Sequence, residues 1–151
     1  MSINTSNRLL LSEILKKVSN AKTKAEKIQV LVEYDGPALR AVLIWNYDES
    51  VVSLIPEGDV PYTPNAAPAG TEHTVLEKEY NKLYYFVKGG DANLQQFKRE
   101  QMFIQLLEGL HSSEAELLCL VKDGLLQKQY RITKAVVEEA FPQIKWGGRG
   151  G

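Results

Sequence analysis

Ser113 to Pro142, SEAELLCLVKDGLLQKQYRITKAVVEEAFP, reads as an apolar helix, a basic loop and a second helix stopped by proline. Ser113 and Glu116 stand at capping-box spacing, in which the hydroxyl accepts from the N–H three residues on and the carboxylate reaches back. Behind that cap, Leu117, Leu118, Leu120 and Val121 supply a wide apolar face. The segment Lys122 to Ile132 carries Lys122, Lys128 and Arg131 against a single acid, Asp123. Thr133 is placed to cap a helix that runs to Phe141, with Pro142 as its stop. Basic residues therefore gather just before a helix start, where unpaired N–H groups and the macrodipole favour an anion. The pattern suits a phosphate.

Upstream, the same punctuation recurs. Ser6 or Asn7 is expected to cap a helix through Val18, with Leu9, Leu10, Ile14 and Val18 at three-to-four spacing. Thr23 and Glu26 form a second capping box, opening a helix that turns Ile28, Leu31 and Val32 inward. Asp35-Gly36-Pro37 ends it and starts another, because proline's missing N–H costs nothing in a first turn. Leu39, Val42, Leu43 and Trp45 then mark a central helix, and Asn46-Tyr47-Asp48 weighs Val51 to Ile55 towards one further helical turn. Pro56 to Gly70 holds four prolines and two glycines and is expected to be an irregular loop, with Tyr62 packed back on the domain.

Thr74 and Glu77 form a third capping box for a helix to Val87, closed by Lys88-Gly89-Gly90. Glu72, Glu77 and Glu79 read as charges at that helix start. Asn93 opens the longest helix, to about Leu110, with Leu94, Phe97, Phe103, Ile104, Leu106 and Leu107 on one face and Lys98 and Arg99 on the other. No strand alternation is sustained. The expected fold is all-α: a compact bundle of roughly seven short helices in one domain, 1–151. Its core is 5–145, its proline-rich loop 56–70, and 146–151 is a flexible Gly/Arg tail, with Trp146 either docking the tail on the domain or serving a partner.

At 151 residues the chain is long enough for one core, and its 44% hydrophobic and 25% charged content is that of an ordinary soluble domain. The net charge of −1 leaves no global basic field. Local patches still act, since exposed charges are felt over about one Debye length, ~10 Å at moderate salt. Cys119, the only cysteine, excludes an intrachain disulfide and reads as a buried small hydrophobe in a reducing compartment. No apolar run approaches the ~20 residues of a membrane span. MSINTSNRLLLSEI has no long apolar core, so no membrane partner and a cytoplasmic location are expected.

Chemistry is sparse. His73 and His111 have no Cys or His at metal-ligand spacing, and no phosphate loop or Ser-His-Asp order appears. A non-enzyme is expected, with no catalytic residue, metal or cofactor.

With Lys122-Asp123, Thr133 and Phe141-Pro142 in place, the chain resembles the N-terminal helical DNA-binding domain of bacteriophage-type ATP-dependent DNA ligases. There too an apolar helix ends in a charged residue plus Asp, and a small turn leads to a helix closed by an aromatic-Pro pair. The opening LLSEILKKVSNAKTKAEKIQVLVEYDGPALRAVLIWNYD is similar to that family's helix, Thr-Lys turn and two further helices, so the resemblance covers Leu9 to Ile144. Lys122-Asp123-Gly124 is one residue short of the K-x-D-G of the ligases' separate catalytic domain, and reads as a helix end and turn.

The resemblance implies that Lys22, Thr23, Lys24, Lys128, Arg131, Thr133 and Lys134 lie at phosphates of duplex DNA. The chain departs from the family at Tyr130-Arg131-Ile132, where a small residue is usual. The function implied is largely sequence-independent duplex DNA binding without catalysis, accessory to phage replication or repair in the host cytoplasm. The alternative expectation is an adaptor for phage replication, transcription or virion proteins, suggested by near-neutral charge, the 56–70 loop and Trp146.

Overall fold

The computed structural model describes residues 9–69, 71 and 73–150. The Ser6 or Asn7 cap, Gly70 of the loop and Glu72 lie outside the described residues, but the first helix starts only at Leu11, so Leu9 and Leu10, expected within it, precede it. Seven α-helices form among them: α1 Leu11–Asn20, α2 Lys24–Glu33, α3 Pro37–Tyr47, α4 Leu76–Glu79, α5 Gln96–Gly109, α6 Ser112–Val121 and α7 Lys134–Ala140. Two 3₁₀ helices, Tyr80–Phe86 and Leu126–Lys128, complete the order. The described residues hold no strand beyond two isolated bridges, Ser53 with Val87 and Thr74 with Leu110. The all-α expectation stands.

Helix α3 is the centre. Val42 and Leu43 are fully buried, and Trp45 stacks on Phe86 at 6.4 Å and meets Phe103 edge-on at 6.4 Å. Helices α4 and α6 and the first 3₁₀ helix pack on it, and α2 packs between α1 and α7, joining early and late parts of the chain.

Several local readings are corrected. Val51 to Ile55 is not a helical turn: Leu54 N donates to Phe86 O at 2.8 Å and Lys88 N to Val52 O at 2.9 Å, an extended pairing. The helix expected from Thr74 to Val87 is split, because Thr74 Oγ1 donates to Glu79 Oε1 at 3.0 Å instead of capping. After Glu79 the chain tightens to three residues per turn, which sets Tyr80, Leu83 and Phe86 on one face. Helix α5 starts at Gln96 rather than Asn93, leaving Phe97 74% exposed while Arg99 is only 6% exposed. Arg99 turns inward onto carbonyls at the end of the 3₁₀ helix and in the turn before α5. Its guanidinium donates to Tyr85 O at 2.8 Å and to Asp91 O and Leu94 O at 3.2 Å each.

The Ser113 capping box does not form. Helix α6 begins two residues earlier, with His111 as its cap: Ser113 N donates to His111 Nδ1 at 3.1 Å and Glu116 is left exposed. Glu114 is the functional acid there, 1% exposed. Its Oε2 accepts from Leu11 N at 2.8 Å and its Oε1 from Leu76 N at 3.0 Å, so one carboxylate serves the starts of α1 and α4.

Tyr62 packs against the core as expected, and its neighbour Cys119 is half-buried. The tail, expected to be flexible, is pinned: Gly147 N donates to Asp48 Oδ2 at 3.0 Å and the Arg149 guanidinium pairs with the same oxygen at 2.5 Å. No described helix is long and apolar enough to cross a membrane.

Candidate nucleic-acid interface

The turn between α1 and α2 and the segment before α7 are distant in sequence, yet they are bonded to each other. Arg131 N donates to Ser19 Oγ at 2.8 Å. Lys27 Nζ donates to Val18 O and Ser19 O at 3.0 Å each, and to Arg131 O at 2.9 Å. Lys27 thus closes the C-terminus of α1, where a cation meets the last carbonyls and the negative end of the dipole. The same ammonium holds Arg131 beside that helix end. From the other side Tyr47 Oη donates to Ile132 O at 2.6 Å. Burial pushes the Tyr47 phenol up to about 12, so it keeps its proton at neutral pH.

These bonds bring most of the expected contacts to one edge. Thr23 caps α2 by accepting from Glu26 N at 3.1 Å, and Thr133 caps α7 by accepting from Val136 N at 3.3 Å. Both hydroxyl oxygens are therefore already used as acceptors within their own helices. Lys24 reaches across to α7 and pairs with Glu139 at 2.7 Å, both side chains about half exposed. Lys134 lies over the Trp146 ring, 5.1 Å from its centroid. The Lys22, Lys128 and Arg131 side chains are exposed and make no ion pair with a described residue. Lys128 stands apart on the second 3₁₀ helix, three residues before Arg131. Helix α7 has only seven residues, so the charge of this edge rests on side chains more than on a long helix dipole.

Lys122, grouped with these cations in the sequence, does not belong to them. It is 3% exposed, and its ammonium donates to Pro56 O at 3.0 Å, Gly58 O at 2.8 Å and Asp123 Oδ1 at 2.7 Å. All three hydrogens are spent, two on loop carbonyls and one on Asp123. Lys122-Asp123-Gly124 is a helix end and turn, as expected, with Gly124 at a φ of 69°.

Sequence reasoning missed Lys27 and Ser19, which position Arg131. Lys27 is four residues past a cap, an ordinary place for a solvated lysine, and no local pattern shows that its partner lies 104 residues away. The two histidines meet in space, with ring centroids 5.3 Å apart. Among the described residues no group of three or more His, Cys, Asp or Glu side chains is placed to hold a metal.

One family model, described as a family of unknown function (DUF6433), matches residues 14–128, from within α1 to the end of the second 3₁₀ helix. Neither a curated protein nor a solved structure matches the chain.

Proposed function

We propose that this chain, which belongs to the DUF6433 family of unknown function, is a non-catalytic module that holds duplex DNA through its phosphates. The observation that carries this reading is the Ser19–Lys27 clamp on Arg131, which sets two basic turns side by side. Arg131 and Lys22 present unpaired charge from that edge, and Lys128 extends it along the chain. Binding of this kind has little sequence preference, because phosphate contacts position a duplex without reading its bases. The resemblance to the ligase DNA-binding domain adds a direction, a role accessory to phage replication or repair.

Anisotropy of a labelled nicked duplex, an intact duplex and a single strand, at low and moderate salt, tests the proposal. With about three phosphates neutralised, the logarithm of affinity should fall with the logarithm of salt at a slope of about −3. Lys128→Glu combined with Arg131→Glu should abolish duplex binding. Unchanged binding by that double variant would remove the interface, and no wild-type binding at low salt would remove the function.

A second reading, a protein adaptor, has its own support in four exposed apolar side chains: Phe97 at 74%, Val32 at 52% (expected to face inward), Tyr84 at 47% and Val52 at 42%. Capture of partners from lysate with and without nuclease separates the two. Partners lost on nuclease treatment would argue against the adaptor.

A further inference from the structure

Residues 145–150 cross the end of α3 as a strap. Besides the Gly147 bond and the Arg149 pair to Asp48, Arg149 N donates to Ser50 Oγ at 3.0 Å, and its guanidinium also bonds Lys145 O. The path is fitted to its glycines. Gly147 and Gly148 hold left-handed φ values of 89° and 75°, and a Cβ on Gly150 would come within 2.8 Å of Ser50 O. In this position Trp146 lies on Lys134, at the edge described above.

Resting on the DNA-binding reading, we propose that the strap is a latch: closed, it holds Trp146 over Lys134 and withholds that cation from phosphate, and opened, it releases it. Asp48 and Arg149 are the bolt. The Asp48 side chain is 2% exposed and that of Arg149 34%, so the bolt is fixed on the domain side and reachable from solvent on the strap side. Trp146 itself is partly buried against the core, but beyond it, to Gly150, the strap carries no apolar side chain, and the hydrogen bonds and this ion pair hold that part down. A phosphate and the indole ring compete for one ammonium, and the ring's hold at an exposed position is the weaker of the two.

The test uses the full chain and a labelled intact duplex. Asp48→Asn keeps the side-chain shape and removes the bolt's charge. It should tighten binding about three-fold, the size of an exposed cation–π contact, and make Trp146 easier to quench with acrylamide. Arg149→Gln opens the latch from the strap side and should act in the same direction, which covers the case in which Asp48→Asn folds poorly. Adding Lys134→Gln to Asp48→Asn should return affinity to the wild-type level.

Greater quenching with unchanged or weaker binding in both variants would overturn the latch and leave the DNA-binding reading intact. Unchanged quenching would show that Asp48 and Arg149 are no bolt. No duplex binding by wild type or either variant at low salt would overturn the DNA-binding reading, and the latch with it.

Discussion

Glu114 shows why a buried charge is kept. Burial pushes its carboxyl pKa up, against the two backbone N–H bonds from Leu76 and Leu11 and the nearby His73, while Glu13 adds to the rise. Its two oxygens accept from the first residues of α1 and α4, donors that have no partner within their own helices. Glutamine has the same shape but turns an amide hydrogen towards one of those N–H groups. Glu114→Gln should therefore destabilise the protein by about 1–3 kcal/mol, the cost of an orphaned buried donor. The sign with pH follows from linkage. A carboxyl whose folded pKa is raised takes up its proton earlier than in the unfolded chain, so its contribution to stability grows as pH falls towards 4.5 and shrinks as pH rises through the raised value. The gap between wild type and Glu114→Gln should widen from neutral pH into mild acid, read from urea midpoints. A gap that narrows would mean the carboxylate's bonds outweigh its burial. None of this was legible in the sequence, where Glu114 looks like any acid in a helix's first turn and Glu116 sits at the better-known spacing.

At the scale of elements, legibility followed the length of the apolar pattern and the presence of a decisive cap. Helices α2, α3 and α7 begin where Thr23, Pro37 and Thr133 place them, because a side-chain acceptor or a missing N–H settles a helix start locally. The segment after Thr74 failed that reasoning, since Glu79 competes for the threonine hydroxyl and long-range bonds to Gly109 and Glu114 fix the backbone. Arg99 and Phe97 exchanged their expected faces for a similar reason, the needs of the turn before α5 outweighing side-chain polarity. The candidate interface was half legible. Its caps and exposed cations could be read, but the joint that unites them is tertiary. That joint makes a prediction about helices. Lys27→Met keeps the stem and removes three charge-assisted donors, leaving the last carbonyls of α1 and Arg131 O to water. Stability should fall by about 1–3 kcal/mol. Amide exchange should quicken in the segment before α7 while the core of α3 stays protected. Uniform loosening of all helices would show that Lys27 supports the whole core and not the joint.

At the scale of the molecule, the fold closes late elements onto early ones: α7 lies on α2, and the strap bonds to the end of α3. Asp48 is where the second closure is sensitive to pH. Burial raises its pKa, but bonds from Ser50, Gly147 and Arg149 outweigh it and bring the carboxyl down from 3.8 to about 2. A folded pKa below the unfolded one gives stability that is fully present above about pH 4 and lost as pH falls through 2. The shift corresponds to roughly 2 kcal/mol at neutral pH. Asp48→Asn should forfeit a comparable amount near neutrality and lose less than wild type on acidification, so the two stability curves should converge towards pH 2. Because both bonds to Asp48 Oδ2 come from the strap, while those to Oδ1 come from Ser50, its protonation should first free residues 145–150. Trp146 quenching should therefore rise at a pH where the helical circular dichroism of wild type is still intact. If quenching and helicity change together, the strap is part of the cooperative core, and the closure between the end of α3 and the tail holds the whole fold, not only the tail.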